Sequence, residues 1–210
     1  MFIKQFKFFF LLLALFVSAS VLKAQPIPVE LMLGNNYGVF ELTFSKPLAQ
    51  DSKIGFFHLS SVEFGYDGEY SSIILQEMLY VETLKNLRVV GGITYTPGGF
   101  TPSFGLHYIV RKEKFFFLSA PRINISDELS YDIINIIQYK IPVSEKHNLF
   151  TQAKLLNVFN SYGNIKSYQW FRVGLETKGV QFGLAVNLDE RGPDPELTTN
   201  WGAFIRKEIF

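Results

Sequence analysis

The chain has 210 residues, with 20 Lys and Arg against 19 Asp and Glu, and no Cys. The even charge argues against nucleic acid as a partner, and the missing cysteines exclude disulfide staples, thiolate metal ligands and a cysteine-borne lipid anchor. One domain is enough for this length.

Met1 to Ala24 carries Lys4 and Lys7 ahead of an apolar run from Phe8 to Val17, then small residues near Ala24. That is the order of a secretory signal, and the run falls short of the about 20 residues a spanning helix needs. Cleavage is expected after Ala24, leaving 25–210 as the mature domain; Leu22 stands where a small residue is preferred, so a cut after Ala19 is the alternative. Loss of Lys4, Lys7 and Lys23 leaves 17 basic residues against 19 acids. No later apolar stretch is long enough for a spanning helix, so in a membrane the mature chain must close into a sheet without open edges.

From Pro26 onward, aromatic and β-branched runs are separated by turn chemistry. Breaks fall at Gly34–Gly38, Pro47–Lys53, Gly65–Tyr70, Leu84–Leu87, Thr96–Pro102, Arg111–Lys114, Arg122–Glu128, Ser144–Asn148, Asn160–Lys166, Thr177–Gly179 and Arg191–Leu197. Longer and tighter breaks alternate, as in outer-membrane barrels with short periplasmic turns and long outer loops. The expected fold is all-β, an antiparallel up-and-down transmembrane barrel of about twelve strands if Val29–Leu33 is the first, or about ten if that segment is only a leader.

A period of two should separate lipid-facing from lumen-facing residues. Phe40, Leu42 and Phe44 oppose Glu41 and Thr43; Phe104, Leu106, Tyr108 and Val110 oppose His107 and Arg111. Phe171, Val173 and Leu175 oppose Trp170, Arg172 and Glu176, and Val180, Phe182, Leu184, Val186 and Leu188 oppose Gln181, Asn187 and Asp189. In the last strand Trp201, Ala203, Ile205 and Ile209 oppose Asn200, Gly202, Arg206 and Glu208. Two segments break the pattern: His58 and Glu63 interrupt opposite faces of Lys53–Phe64, and Gln76 and Glu77 cannot both avoid lipid. A bulge or a rim position would accommodate either. Tyr95, Phe100, Tyr139, Trp170 and Trp201, near strand ends, are the expected membrane-interface aromatics.

The signal ending in Ala24-Gln25, the Gly and aromatic strand pattern, and the closing Phe204-Ile205-Arg206-Lys207-Glu208-Ile209-Phe210 resemble small outer-membrane β-barrel proteins of the Bacteroidota. The resemblance implies an outer-membrane address in a Gram-negative bacterium, with the lipid bilayer and the barrel-assembly machinery as partners. Gly202, Phe204 and Phe210 match the assembly signal of such barrels, while Arg206 and Glu208 stand where apolar residues are usual.

The inward set holds Glu41, Arg88, His107, Arg111, Asp132, Lys140, Lys154, Arg172, Glu176, Arg206 and Glu208, of mixed sign. Such charges either pair into a network that fills the interior or line a small aqueous pore. The leading expectation is a porin-like channel for small polar solutes; the alternative is a closed structural or adhesive barrel whose loops bind a partner. An outer-membrane lipid hydrolase ranks third, because His58 and Ser60 share one strand face but nothing else marks a catalytic group. No histidine or carboxylate cluster has metal-ligand spacing, and no cofactor is expected. The acidic run Asp189 to Glu196 reads as solvated loop charge. The paired glycines at Gly91-Gly92 and Gly98-Gly99 read as a strand kink and a loop, since neither is followed by the Lys of a phosphate loop.

Overall fold

The computed structural model describes residues 27–68, 71–194 and 196–209. Twelve strands run in chain order: β1 Ile27–Gly34, β2 Tyr37–Pro47, β3 Ile54–Gly65, β4 Ser71–Leu84, β5 Leu87–Thr96, β6 Gly99–Arg111, β7 Phe115–Asn124, β8 Ser130–Pro142, β9 His147–Asn160, β10 Gly163–Thr177, β11 Val180–Arg191 and β12 Thr198–Ile209. Each pairs antiparallel with its sequence neighbours, and β1 closes on β12 from Ile27 opposite Ile209 to Gly34 opposite Gly202. Val29–Leu33 is thus part of a true first strand, and the count is twelve. Both ends of the described chain lie at one rim, the terminal end; the other rim is the loop end. The signal segment and Phe210 fall outside the described residues.

The alternation of long and short connections is weaker than the breaks predict. At the loop end the turns after β1, β5 and β9 leave only two residues between strands, while Pro47–Lys53, read as tight, spans one of the longest connections. The polar residues around Thr96 and Asn160 belong to the sheet: Tyr95 pairs with Phe100 and Thr96 with Gly99, and Gly163 pairs with Asn160. Gly99 and Gly163 adopt φ of 118° and 123°, which lets a hairpin reverse in two residues.

The outer wall is apolar. Phe40, Phe182, Val173 and Leu184 are 37, 45, 52 and 74% exposed and point away from the interior. Grease outside a closed cylinder is the surface of a barrel solvated by lipid. His58 and Glu77 both face outward, and no bulge moves either, because they stand directly opposite in the β3–β4 register. Glu63 and Gln76 turn inward and are buried.

Inside, the wall is more apolar than a polar-lumen pattern predicts. Met32, Val39, Phe150, Trp170 and Phe204 pack in one buried cluster, and Phe57, Leu59, Met78, Tyr80 and Val90 in another. Trp170 corrects one expectation: it is not an interface residue. Its parity with Arg172 turns the indole inward, where it is 2% exposed, stacks on Tyr168 at 4.3 Å and donates from Nε1 to Asp189 Oδ1 at 3.1 Å. Tyr95 and Phe100 at the loop end, Tyr139 toward the terminal end and Trp201 face outward, and the first two touch at 4.9 Å between ring centroids. Inward glycines let strands lean together where the wall bends. At the closing seam a Cβ on Gly202 would lie 1.9 Å from the Leu33 carbonyl oxygen.

Candidate functional site

Alternation along each strand turns Glu30, Glu41, Lys154, Arg172 and Arg206 toward one another from strands distant in sequence. Lys154 Nζ on β9 donates to both oxygens of Glu41 on β2, at 2.5 and 2.6 Å. Arg172 donates from Nε to Glu30 Oε1 and from Nη1 to Asn187 Oδ1, each at 2.8 Å. Arg206 approaches the other Glu30 oxygen at 3.6 Å. Toward the loop end, Arg122 bonds Asp132 at 2.7 Å and also Gln76, and Glu63 accepts from Lys166 and Arg191 at 2.9 Å each. Near the terminal end Lys140 bonds Glu176 at 2.7 Å. Most interior charges are therefore paired, as charges removed from bulk water must be.

Two cavities enter from opposite ends. The larger, about 740 Å³, opens at the terminal end among Arg88, Arg111, Gln138, Lys140, Arg206 and Glu208. The smaller, about 280 Å³, lies toward the loop end among Glu63, Gln76, Thr94, Arg122, Asp132 and Trp170. Glu41 lines both. The Glu41–Lys154 pair thus stands between the two cavities, with the Lys154 ammonium 5.2 Å from the centre of the Trp170 ring.

All eleven residues of the inward set point inward, but only eight line a cavity. Glu41, Arg88, Arg111, Lys140, Lys154, Arg206 and Glu208 line the larger cavity and Asp132 the smaller. His107, Arg172 and Glu176 line neither. His107 is 1% exposed, packed edge-on to Phe57, with neither ring nitrogen hydrogen-bonded among the described residues. Arg172 is sealed by Glu30 and Asn187, and Glu176 accepts from Lys140, Asn148 and Gln181.

Sequence reasoning missed Glu30, Arg122 and Lys166. Glu30 alternates with Val29 and Leu31, so parity alone would have found it. Arg122 and Lys166 were placed in breaks, whereas β7 runs on to Asn124 and a register shift near Asn164 keeps Lys166 in β10. Half of the acidic run at Asp189 is likewise not loop: Asp189 is buried and receives the Tyr37 hydroxyl and the Trp170 indole.

The two mouths differ in charge. Connections at the loop end carry Asp67, Asp127, Glu128, Asp194 and Glu196 and no Lys or Arg; turns at the terminal end carry Lys53, Lys85, Lys112, Lys114, Lys146 and Lys178 against Asp51, Glu113 and Glu145.

No protein-family model matches the sequence, and no curated protein is significantly similar to it. Among solved structures the barrel is similar to the KdgM porin, with a TM-score of 0.52, 9% identity, and 89% of this chain aligned to 100% of that one. The same holds for the KdgM porin in complex with disordered oligogalacturonate, at a TM-score of 0.51 and the same identity and coverage. The fold resembles that of outer-membrane porins. The NanC porin aligns over the same shares of the two chains at 10% identity and a TM-score of 0.49.

Proposed function

We propose that this chain is an outer-membrane channel of the Bacteroidota type that passes small polar solutes through a narrow, charge-lined lumen. The observation that carries the reading is the pair of cavities entering from opposite ends and divided by Glu41–Lys154. An ion pair with cavity space on both sides can part and re-form as a hydrated solute passes, because water replaces each partner's lost contact. The signal at 1–24 delivers the chain to the periplasm, the barrel-assembly machinery inserts residues 25–210, and Gly202, Phe204 and Phe210 serve as its assembly signal. The terminal end then faces the periplasm. Arg88, Arg111, Lys154 and Arg206 present positive charge to solute, offset by Glu30, Glu41, Glu82 and Glu208.

The same ion pair supports a second reading, in which it seals the barrel and the loops alone act. Planar-bilayer recording of the purified protein separates the two: discrete current steps are expected for the channel, and their absence at all voltages favours the closed barrel. We take the protein to be non-enzymatic. Ser60 and His58 do face outward, but no hydrogen bond joins them, and Ser60 sits six residues into β3 between Leu42 and Leu75, at the depth of acyl chains rather than of lipid esters.

A further inference from the structure

Away from the rims, where Lys46, Glu190 and Lys207 face outward, the outer wall is broken by charge at one height. His58 and Glu77 are register partners on β3 and β4, and His58 Nδ1 lies 2.8 Å from Glu77 Oε1. Apolar side chains surround them: the Phe44 ring stacks on His58 at 4.9 Å, and Ile93 is the cross-strand partner of Glu77 on its other side. The pair lies well inside the strands, His58 four residues from the start of β3 and Glu77 six from the start of β4. The Glu77 side chain is 39% exposed and looks out of the wall, while His58, partly covered by Phe44, is 14% exposed. Beyond their mutual contact, His58 Nε2 and Glu77 Oε2 have no partner among the described residues. Hydrocarbon offers such groups neither donor nor acceptor, and polar residues on a lipid-facing wall are accordingly costly unless something covers them.

We propose that this wall is the docking face for a second copy of the chain, in a two-fold dimer in which each His58 meets Glu77 of the other copy. Charge complementarity selects that occupant. A two-fold axis parallel to the barrel axis keeps every residue at its own depth and reverses left and right, so a base beside an acid at one height becomes an acid facing a base. Because His58 and Glu77 are direct cross-strand partners, the match needs no vertical slide. All copies inserted by one route share the orientation this symmetry requires. Ser60, on the same face as His58, keeps the wall low beside the pair, and small residues are what close packing inside lipid favours. The wall formed by Phe171, Val173, Phe182 and Leu184 carries the neutral Gln169 but no charged pair among the described residues. The dimer rests on the lipid-facing nature of the outer wall and is independent of solute passage.

The chain has no cysteine, so single thiols report cleanly. Leu79→Cys, beside Glu77 on the outer face, and Val173→Cys, on another wall, are compared in the full mature protein refolded in phosphatidylcholine vesicles and treated with a short bifunctional thiol reagent. Leu79→Cys is expected to give a crosslinked dimer well above the Val173→Cys level, with loss of that band when Glu77→Gln is added. Exchange of the pair, His58→Glu with Glu77→His, retains the band, since the reversed pair is still self-complementary. Equal crosslinking at the two positions, or a band that survives Glu77→Gln unchanged, overturns the proposal. Quenching of Trp201 by brominated lipid in the same vesicles reports insertion separately, so failure to dimerise is distinguished from failure to enter the membrane. Where Glu77→Gln does not insert, the Leu79 and Val173 comparison in the otherwise native chain decides by itself.

Discussion

Lys154 and Glu41 reach each other across the lumen from β9 and β2, strands that share no backbone hydrogen bond, with contacts of 2.5 and 2.6 Å. Replacing both, Glu41→Gln with Lys154→Gln, removes the attraction without leaving a lone buried charge. Unit conductance in planar bilayers should rise, because the two cavities are then separated by neutral side chains alone. Lys154→Met by itself strands the carboxylate and should cost up to about 3–5 kcal/mol in urea unfolding, less to the extent that cavity water reaches Glu41.

Arg172 sits deeper and should behave differently. It lines neither cavity, so Arg172→Ala is expected to change ion selectivity only through its stranded partner Glu30, less than Arg111→Ala does, while abandoning Glu30 and Asn187. Breaking one partner out of a buried pair costs about 3–5 kcal/mol, which equilibrium unfolding in detergent micelles would register. A selectivity shift with native stability would contradict this placement.

The two tryptophans report on opposite sides of one wall. In single-tryptophan variants made by Trp170→Phe or Trp201→Phe, brominated acyl chains should quench Trp201 and spare Trp170. Stability separates them as well: Trp170→Ala opens a cavity in the interior cluster and should cost about 3–5 kcal/mol, whereas Trp201→Ala, at a 60% exposed outer position, should cost much less.

Opposite charge at the two mouths should rectify current. Acidic connections concentrate cations at the loop end and lysine-bearing turns concentrate anions at the terminal end, so current–voltage curves at about 0.01 M salt should be asymmetric. At about 1 M the screening length falls from about 30 Å to about 3 Å and the curves should become symmetric. Charge reversal at Lys112 and Lys114, both of which line the larger cavity, should weaken the asymmetry.

Much of the barrel is legible along the chain because strand parity is local. Once the backbone is extended, Phe182 and Leu184 must share a face, and so must Trp170 and Arg172. The interface assignment of Trp170 failed by weighing residue type above that parity. Connection lengths were less legible, since Thr96, Asn160 and Lys166 look like loop residues in composition yet extend the ladder when a glycine at positive φ reverses the chain beside them.

The sequence by itself determined that the mature chain alternates between two solvents and which face of its most regular strands is greasy; the pairing of β1 with β12 decided between ten strands and twelve. It held no information on which inward charge meets which, because Glu41 and Lys154 are 113 positions apart and their contact depends on how far the strands shift in register as the sheet closes. Tertiary structure likewise decided the fate of His58 and Glu77. Each alone violates the outer wall, and only the β3–β4 register sets one against the other.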